Sequence, residues 1–337
     1  MRTVALTLRL LALVVVAVIR AIGRRLRRGP AVPGWSWTVE LRVVALRSFI
    51  MSTRAHPDRR ARAKLEAGFD PSLPRRLRSV MRVRPEMVGG VAGEWHERTD
   101  TTLTNRCTLL YFHGGGYLAG SAATHRRWAA RLTWAIGCKT YVPEYRLAPQ
   151  HPFPAALDDA LAVYLALLER GVRPEEIVVA GDSAGGGLSL ALLLRLRDEG
   201  HPLPAGAVLF SPYTDLEHTA GSIVTNAGTD YLPLGEIRAN TEYLGDHDPK
   251  DPYASPMYGD YTGIPPLLVF AGGREMILDD STRLVDRARS RGCDVTLHVA
   301  PDMYHVWPAL LPGHPETLVA EARTAEWVAG HTAVSAP

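Results

Sequence analysis

The sequence has few of the features that mark metalloproteins, disulfide-rich proteins or nucleic-acid-binding proteins. Only three of its 337 residues are cysteines, and none of them forms a C-x-x-C pair. We therefore expect no zinc or other metal site and no disulfide framework, and a reducing compartment is compatible with this composition. Only three residues are lysines, and no nucleic-acid-binding motif accompanies the many arginines. No nucleic-acid partner is expected.

The N-terminus lacks an apolar run of the length that a membrane-spanning helix needs, about 20 residues. The run at residues 10–19 has the length of a signal-peptide core, but Arg20 follows at once and no A-x-A cleavage site is found. Residues 1–84 contain 19 lysines and arginines against 4 aspartates and glutamates, whereas the whole chain carries a net charge of only +3. We expect residues 1–30 to form one of two structures. One is a helix on the inner face of a membrane, in an otherwise cytoplasmic protein. The other is a helix packed on the protein body.

The next stretch has a helical pattern. Apolar positions at helical spacing predict a helix over residues 35–50, and a proline at position 57 could start a second helix over residues 57–67. Prolines and arginines near residues 71–76 indicate a linker. We interpret residues 31–79 as a small helical cap.

From about residue 80 to residue 330, short strands give way to alternating strands and helices. This alternation predicts an α/β domain with a mostly parallel central sheet and helices on both faces. Strands are predicted near residues 81–84, 91–96, 108–111, 140–143, 177–180, 207–210, 267–271 and 295–299. Helices are predicted near residues 124–136, 155–169, 188–196, 281–291 and 317–329. The insertion at residues 211–263 is expected to contribute to the cap and to a pocket.

A serine stands in a glycine-rich turn between a predicted strand and a predicted helix. The turn has the pattern G-x-S-x-G over residues 181–185. This is the setting of a nucleophile elbow, whose sharp turn lifts the serine oxygen above the sheet. Ser183 also lies at a helix N-terminus, where unpaired N–H groups favour negative charge. A chance glycine–serine turn is the alternative, which the motif alone does not exclude.

A second glycine-rich motif, H-G-G-G, follows the strand at residues 108–111 and begins at His113 and Gly114. Glycines let the backbone approach a substrate and aim N–H donors at the oxyanion of a tetrahedral intermediate. A further donor should be the N–H of Ala184, directly after the serine. His113 is expected to position the loop, and Asp182 to brace the elbow by hydrogen bonding. A flexible loop and a surface aspartate are the respective alternatives.

The position of the last strand selects a histidine. His305 follows the strand at residues 295–299, so it can reach over the end of the sheet. Its rivals are less well placed, because His298 sits inside the strand pattern and His314 lies in a later Gly/Pro-rich loop. A purely structural histidine is the alternative.

The acid should come from the loop after the strand at residues 267–271, which offers Glu275, Asp279 and Asp280. The two aspartates precede a helical stretch and are typical of helix N-caps and first turns. Glu275 has no such structural reason to be there, so we prefer it and keep Asp279 as the second choice.

Taken together, these motifs resemble the hormone-sensitive-lipase-like group of the α/β-hydrolases, the bacterial family IV esterases. The resemblance covers residues 80–328. It rests on H-G-G-G-Y at 113–117, Y-R-L-A-P at 145–149, F-P-A-A at 153–156, G-D-S-A-G-G at 181–186 and M-Y-H at 303–305. It implies a carboxylic ester hydrolase of short to medium acyl chains, with a helical cap and without a cofactor.

The resemblance also implies roles for single residues. Ser183 would be the nucleophile and His305 the base, in the chain order Ser183, Glu275, His305 that this fold requires. The oxyanion donors would be the N–H groups of Gly115, Gly116 and Ala184. The family usually has aspartate where this chain has Glu275.

The remaining expectations concern the substrate. A small, partly apolar pocket would suit a neutral small-molecule ester. Its candidate wall residues, each of which could instead be ordinary packing, are Tyr117, Tyr213, Tyr231 and Trp307. Lactone or amide hydrolysis by the same triad is an alternative, as is a non-catalytic ligand-binding protein on this fold. Members of the group often form homodimers, so a homodimer is also compatible.

Overall fold

The computed structural model describes residues 2–54, 72–100, 107–233 and 241–332, and an eight-stranded sheet lies at its centre. The strands are β1 (Met81–Val88), β2 (Val91–Arg98), β3 (Thr108–Phe112), β4 (Lys139–Pro143), β5 (Ile177–Asp182), β6 (Gly206–Phe210), β7 (Leu267–Gly272) and β8 (Val295–Ala300). Their order across the sheet is β1-β2-β4-β3-β5-β6-β7-β8. The β1–β2 and β2–β4 pairs are antiparallel, and the other five pairs are parallel. The predicted mostly parallel sheet is confirmed.

The central strands are buried on both faces. Every residue of β3, β5, β6 and β7 is buried, as expected where helices cover both faces of a parallel sheet. Successive residues of β3 point to opposite faces. Leu110 and Phe112 join one hydrophobic core, whereas Leu109 and Tyr111 join the other.

The helices fit the predicted alternation. They are α1 (Arg2–Arg28), α2 (Trp37–Arg54), α3 (Arg75–Arg78), α4 (Ala122–Ile136), α5 (Ala155–Glu169), α6 (Ala184–Asp198), α7 (Ser222–Thr225), α8 (Thr241–Leu244), α9 (Leu278–Ser290), α10 (Trp307–Leu310) and α11 (Pro315–His331). Helix α6 begins at Ala184, earlier than the predicted residue 188, and so includes three glycines of low helix propensity. Tight packing explains them, because a Cβ at Gly185 would lie 2.0 Å from the Phe112 carbonyl oxygen.

Helices α1 and α2 pack together beside the carboxyl end of the sheet. Glu40 of α2 is buried and forms ion pairs with Arg24 and Arg25 of α1. Trp35 Nε1 donates a hydrogen bond to the Asp302 carbonyl at 2.5 Å. Within the described ranges, no helix combines the length and apolarity needed to cross a bilayer. The predicted helix over residues 57–67 lies outside the described residues.

The insertion at residues 211–263, described here except for residues 234–240, consists mainly of turns with short helices. One anchor is Asp280, whose Oδ2 accepts the N–H groups of Thr214 at 2.8 Å and Asp215 at 3.0 Å. Burial raises the pKa of Asp280 to about 8. The insertion is therefore fixed to the start of α9.

The expectation of no disulfide was wrong. Cys107 and Cys138 form a disulfide with their Cα atoms 5.2 Å apart, while Cys293 is free and buried. The two bridged residues directly precede β3 and β4, which pair in parallel with Thr108 opposite Lys139. The strand register therefore places the two cysteines side by side. Their separation of 31 positions in the sequence gives no sign of this.

Candidate active site

The turn between β5 and α6 holds Ser183 in a strained conformation. Its φ of 52° and ψ of −120° are rare for a residue with a side chain. Ser183 donates its N–H to the Phe210 carbonyl at 2.9 Å, and its own carbonyl accepts the N–H of Tyr213 at 2.9 Å. A Cβ at Gly181 would lie 2.3 Å from the Gly185 carbonyl oxygen, and a Cβ at Gly185 would lie 2.0 Å from the Phe112 carbonyl oxygen. Both flanking positions must therefore be glycine. This is the geometry of a nucleophile elbow.

The glycine loop after β3 lies against this turn. Gly115 has a φ of 129°, and a Cβ there would lie 2.1 Å from the Ala119 carbonyl oxygen. At Gly116 a Cβ would meet no atom within 4 Å, so this glycine faces open space. Within the described part of the chain, no hydrogen-bond acceptor takes the N–H of Gly115, Gly116 or Ala184. These three donors are therefore available to a ligand.

Asp182, the residue before Ser183, binds the glycine loop through its carboxylate. Its Oδ1 accepts the N–H of Gly114 at 2.9 Å and the hydroxyl of Tyr111 at 2.5 Å. His125 Nε2 lies 3.5 Å from the same oxygen. Burial alone would raise the pKa of Asp182, but His125 and Tyr111 lower it below its usual range. Asp182 is buried, and its hydrogen bond to Gly114 joins the glycine loop to the residue before Ser183.

His113 lies on the inner side of this network. Its ring stacks on Tyr145 with 4.2 Å between centroids, and the Tyr145 hydroxyl donates to the His113 carbonyl at 2.6 Å. Burial and the neighbouring His125 lower the pKa of His113 to about 3, so it is neutral near pH 7. His113 therefore packs within the loop.

Glu275 and His305 come together from the loops after β7 and β8. Glu275 Oε2 lies 3.4 Å from His305 Nδ1, and both side chains are buried. The two atoms are thus within ion-pair distance, but farther apart than in an ideal hydrogen bond. Burial alone would lower the pKa of His305. The contact with Glu275 and the charges of Glu275, Asp230 and Asp182 raise it above its usual value.

The other candidate acids and histidines are bound elsewhere. Asp279 accepts the N–H of Ser222 at 2.9 Å, and Asp280 anchors the insertion. His298 Nε2 lies 3.7 Å from Glu316, and His314 caps α11. The structure thus brings Glu275 to His305 and none of these four.

The predicted wall residues are all buried. Tyr117, directly after the glycine loop, stacks on Tyr243 with 3.8 Å between ring centroids. Tyr231 packs near His305 at 6.0 Å between centroids, and Tyr213 contacts His218. Trp307 is fully buried in the core shared with α2. Of the four, Tyr231 has its ring beside His305, and Tyr213 binds the Ser183 carbonyl through its backbone N–H.

Two surface clefts lie away from Ser183. One, of about 500 Å³, is lined by residues that include Arg78, Glu94 and Arg126. The other, of about 340 Å³, is lined by Phe153, His247 and their neighbours. Neither contains Ser183 or His305, so we assign neither to the reaction. Among the described residues, no cluster of His, Cys, Asp or Glu could hold a metal ion.

Three polar residues at the site were missed by reasoning from the sequence. His125 faces Asp182. Asp230 accepts the backbone N–H of His305 at 3.3 Å, and the Ser211 hydroxyl accepts the backbone N–H of Val306 at 3.0 Å. None stands in a chemically diagnostic motif. The only sequence signal is that Asp230 directly precedes Tyr231, a predicted wall residue.

Known proteins resemble this chain in sequence and in structure. A family model of the α/β-hydrolase fold matches residues 109–309. An acetyl-hydrolase of Streptomyces hygroscopicus is 44% identical over 211 residues, which cover 62% of this chain and 71% of the relative. An esterase of Acinetobacter venetianus is 35% identical over 251 residues, which cover 74% of this chain and 82% of the relative.

A solved structure gives the same result. The crystal structure of an esterase from the bacterial hormone-sensitive lipase family superposes with a TM-score of 0.79 at 38% identity. The match covers 87% of this chain and 98% of that one. This chain belongs to the α/β-hydrolase family, in its hormone-sensitive-lipase-like group, and is a serine carboxylesterase-like hydrolase.

Proposed function

We propose that this chain hydrolyses carboxylic esters with short to medium acyl chains, using Ser183, His305 and Glu275 as its triad. The observation that carries the proposal is the buried contact between Glu275 and His305. These residues follow β7 and β8, and Ser183 follows β5. Because these strands are parallel, all three residues lie at the same edge of the sheet.

The proposed cycle uses only groups of this chain and a water molecule. His305 takes the hydroxyl proton of Ser183 as the serine oxygen attacks the ester carbonyl, and then protonates the departing alcohol. Water, deprotonated by His305, attacks the acyl-enzyme, and the proton returns to Ser183 as the acid leaves. Glu275 holds the imidazole tautomer and stabilises its charged form.

The oxyanion would be bound by the N–H groups of Gly115, Gly116 and Ala184. Support comes from their freedom from other acceptors and from the anchoring of the loop by Asp182. Removing one such donor from an oxyanion hole typically costs 10²–10³ in kcat. The proposal needs no cofactor.

Aromatic packing near the site supports a shallow acyl pocket. Tyr117 is fixed by stacking on Tyr243, and Phe153 meets Tyr243 edge-on at 5.9 Å. Two residues of the proposed cap at residues 31–79, Trp35 and Arg42, donate hydrogen bonds to the segment that carries His305. As walls of an acyl pocket, these rigid rings would favour small acyl groups over long chains.

The test is hydrolysis of p-nitrophenyl acetate, butyrate, octanoate and palmitate by wild type and by Ser183→Ala. We expect wild-type activity to peak at the short chains and the variant to lose it. If folded wild type hydrolysed only lactones or amides, the alternative substrates would replace esters. If no substrate turned over and a fluorophosphonate failed to label Ser183, the ligand-binding alternative would stand.

We also propose that residues 1–30 touch an anionic membrane without spanning it. Among the α1 side chains that the structure describes, from residue 12 onward, the exposed large apolar ones are Leu13, Val15, Val16, Ile19 and Leu26. Arg20, Arg27 and Arg28 are exposed on the same helix. An apolar face beside arginines is typical of helices that lie in the interface.

Sedimentation with vesicles tests this contact. Wild type should bind vesicles that contain phosphatidylglycerol more strongly than pure phosphatidylcholine vesicles, and Ile19→Asp should weaken the binding. Leu318→Asp is the matched control, because Leu318 is 54% exposed on α11 and Ile19 is 61% exposed. Equal losses in both variants would reject the site. If wild type were a dimer and Ile19→Asp, but not Leu318→Asp, dissociated it, the apolar face of α1 would bind a second copy of the chain. This would be the homodimer that the family resemblance allows.

A cytoplasmic location at the inner membrane face is the last part of the proposal, and Cys107 and Cys138 report on it. Disulfides are rare in the cytoplasm. Because the two residues are bridged in the structure, the proposed location requires that the bridge forms only after the cell is opened. Thiol alkylation of intact native cells, before reduction, should then label both residues. A bridged pair would place the protein in an oxidising compartment.

A further inference from the structure

Asp230 lies between the two loops that carry Glu275 and His305. Its side chain is fully buried in the insertion. Oδ2 accepts the N–H of Met276, the residue after Glu275, at 2.7 Å. Oδ1 accepts the backbone N–H of His305 at 3.3 Å and the backbone N–H of Tyr231 at 2.7 Å.

We propose that Asp230 is a positioning residue of the triad. It holds Glu275 and His305 in register and places a second negative charge near the imidazole. The inference rests on the proposed function, because it assigns Asp230 a role through the proposed base and acid.

The chemistry of a carboxylate explains why aspartate stands there. An ionised carboxylate only accepts hydrogen bonds, and its two oxygens can serve several N–H groups together. Hydrogen bonds to a charged acceptor are about twice as strong as neutral ones. An asparagine of the same shape would offer one accepting oxygen, and its amide group would face an N–H donor. The three N–H groups around Asp230 therefore favour the charged side chain. Burial outweighs them and raises the pKa of Asp230 to about 6, so the side chain is charged above that pH.

Neighbouring residues of the insertion tether the acid loop without charge. The Ser222 hydroxyl donates to the Met276 carbonyl at 2.8 Å, and Asn226 Nδ2 donates to the Glu275 carbonyl at 2.9 Å. Thr229 Oγ1 donates to the Arg274 carbonyl at 3.1 Å. Of these four tethers, Asp230 alone also reaches the histidine loop. It is therefore the residue whose loss should separate the acid from the base.

The charges around His305 give a readout that a merely structural residue would not change. Glu275, Asp230 and Asp182 raise the pKa of His305, while burial lowers it. The phenols of Tyr231 and Tyr304 also face this cluster and are neutral in the working range. Removing the charge of Asp230 should lower the pKa of His305. Since the neutral imidazole is the active base, the acid limb of kcat/KM should move to lower pH.

The experiment compares Asp230→Asn and Asp230→Glu with wild type, using p-nitrophenyl butyrate between pH 5 and 9. Asp230→Asn should lower kcat about 10- to 100-fold, with little change in KM, and shift the acid limb to lower pH. Asp230→Glu keeps the charge but not the geometry, so it should lower kcat and leave the acid limb in place.

Asp215→Asn is the matched control. Asp215 is a buried aspartate of the same insertion, and it accepts the N–H groups of Glu217 and Thr219 at 3.0 Å each. Its loss should lower the melting temperature but leave the acid limb unchanged. If Asp230→Asn does not fold, Asp230→Ser, whose hydroxyl can still accept one N–H, serves in its place.

The outcomes separate this inference from the proposed function. If Ser183→Ala abolishes turnover while folded Asp230→Asn keeps wild-type kcat and acid limb, the positioning role is wrong and the triad stands. If Asp230→Asn loses activity equally at every pH together with stability, Asp230 is only structural. If Ser183→Ala retains turnover, the proposed function itself fails.

Discussion

Replacing Glu275 by glutamine tests the proposed acid with the smallest change of shape. In wild type, Glu275 Oε2 lies 3.4 Å from His305 Nδ1. The variant removes the negative charge at this position and keeps the length of the side chain. The base then loses both the partner that fixes its tautomer and the charge that stabilises the imidazolium. In a serine protease the equivalent change lowers kcat by about 10⁴. We expect a loss of about 10³ to 10⁴ here.

Stability should move differently from activity. Neither carboxylate oxygen of Glu275 has a hydrogen-bond partner among the described residues. A buried charge without hydrogen bonds costs more than a buried neutral amide. Glu275→Gln should therefore leave the free energy of unfolding unchanged or raise it, by up to about 3 kcal/mol. Butyrate ester hydrolysis and thermal unfolding of the same preparation measure both effects.

Asp279→Asn is the control for this prediction. Asp279 was the second choice for the acid, but it accepts the Ser222 N–H at 2.9 Å and does not meet His305. Its variant should keep kcat within about tenfold and lose some stability. If Asp279→Asn were the inactive variant and Glu275→Gln kept a tenth or more of wild-type kcat, the assignment of Glu275 would be refuted.

Three further predictions concern the loop, the disulfide and the base. Asp182→Asn should lower kcat about 10²-fold with KM little changed, because it weakens the hydrogen bond from the Gly114 N–H that anchors the oxyanion loop. An equal loss in the affinity for a transition-state analogue would support this prediction, and an unchanged affinity would contradict it. Cys138→Ser should lower the free energy of unfolding by about 3–4 kcal/mol in denaturant titrations, since the bridge closes a loop of 31 residues; no change would mean that the bridge is absent in solution. The acid limb of wild-type kcat/KM should lie above the ordinary histidine value of about 6.5, because the pKa of His305 is raised; a limb below 6 would contradict this.

The domain fold was predictable because its signals are local. Each predicted strand and helix of residues 80–330 has a counterpart, since short apolar runs and helical periodicity persist along the whole domain. The helix at residues 155–169 was predicted with the observed bounds. The start of α6 was not, because its glycines are helical only through their tight packing on the Phe112 and Tyr213 backbone.

The chemical groups of the site were also predictable, because each lies just after a strand. Ser183, Glu275 and His305 follow β5, β7 and β8, and parallel strands bring their carboxyl ends to one edge. The acid needed one more argument, since three carboxylates share its loop. Asp279 and Asp280 do lie in the first turn of α9, but neither caps the helix, because their carboxylates accept N–H groups of the insertion. Glu275 is the carboxylate of this loop that faces His305.

What escaped prediction is the set of groups that bind the backbone of another loop. Asp230 binds the backbone N–H groups of Met276 and His305, and Cys107 meets Cys138 only through the register of two strands. Such a group is recognised by the N–H or thiol that it meets, and that partner is set by the completed sheet. A buried carboxylate in an insertion therefore looks like any other turn residue until the loops are in place. In this chain, the proposed reacting groups follow from local pattern, whereas the groups proposed to hold them in position follow from tertiary structure.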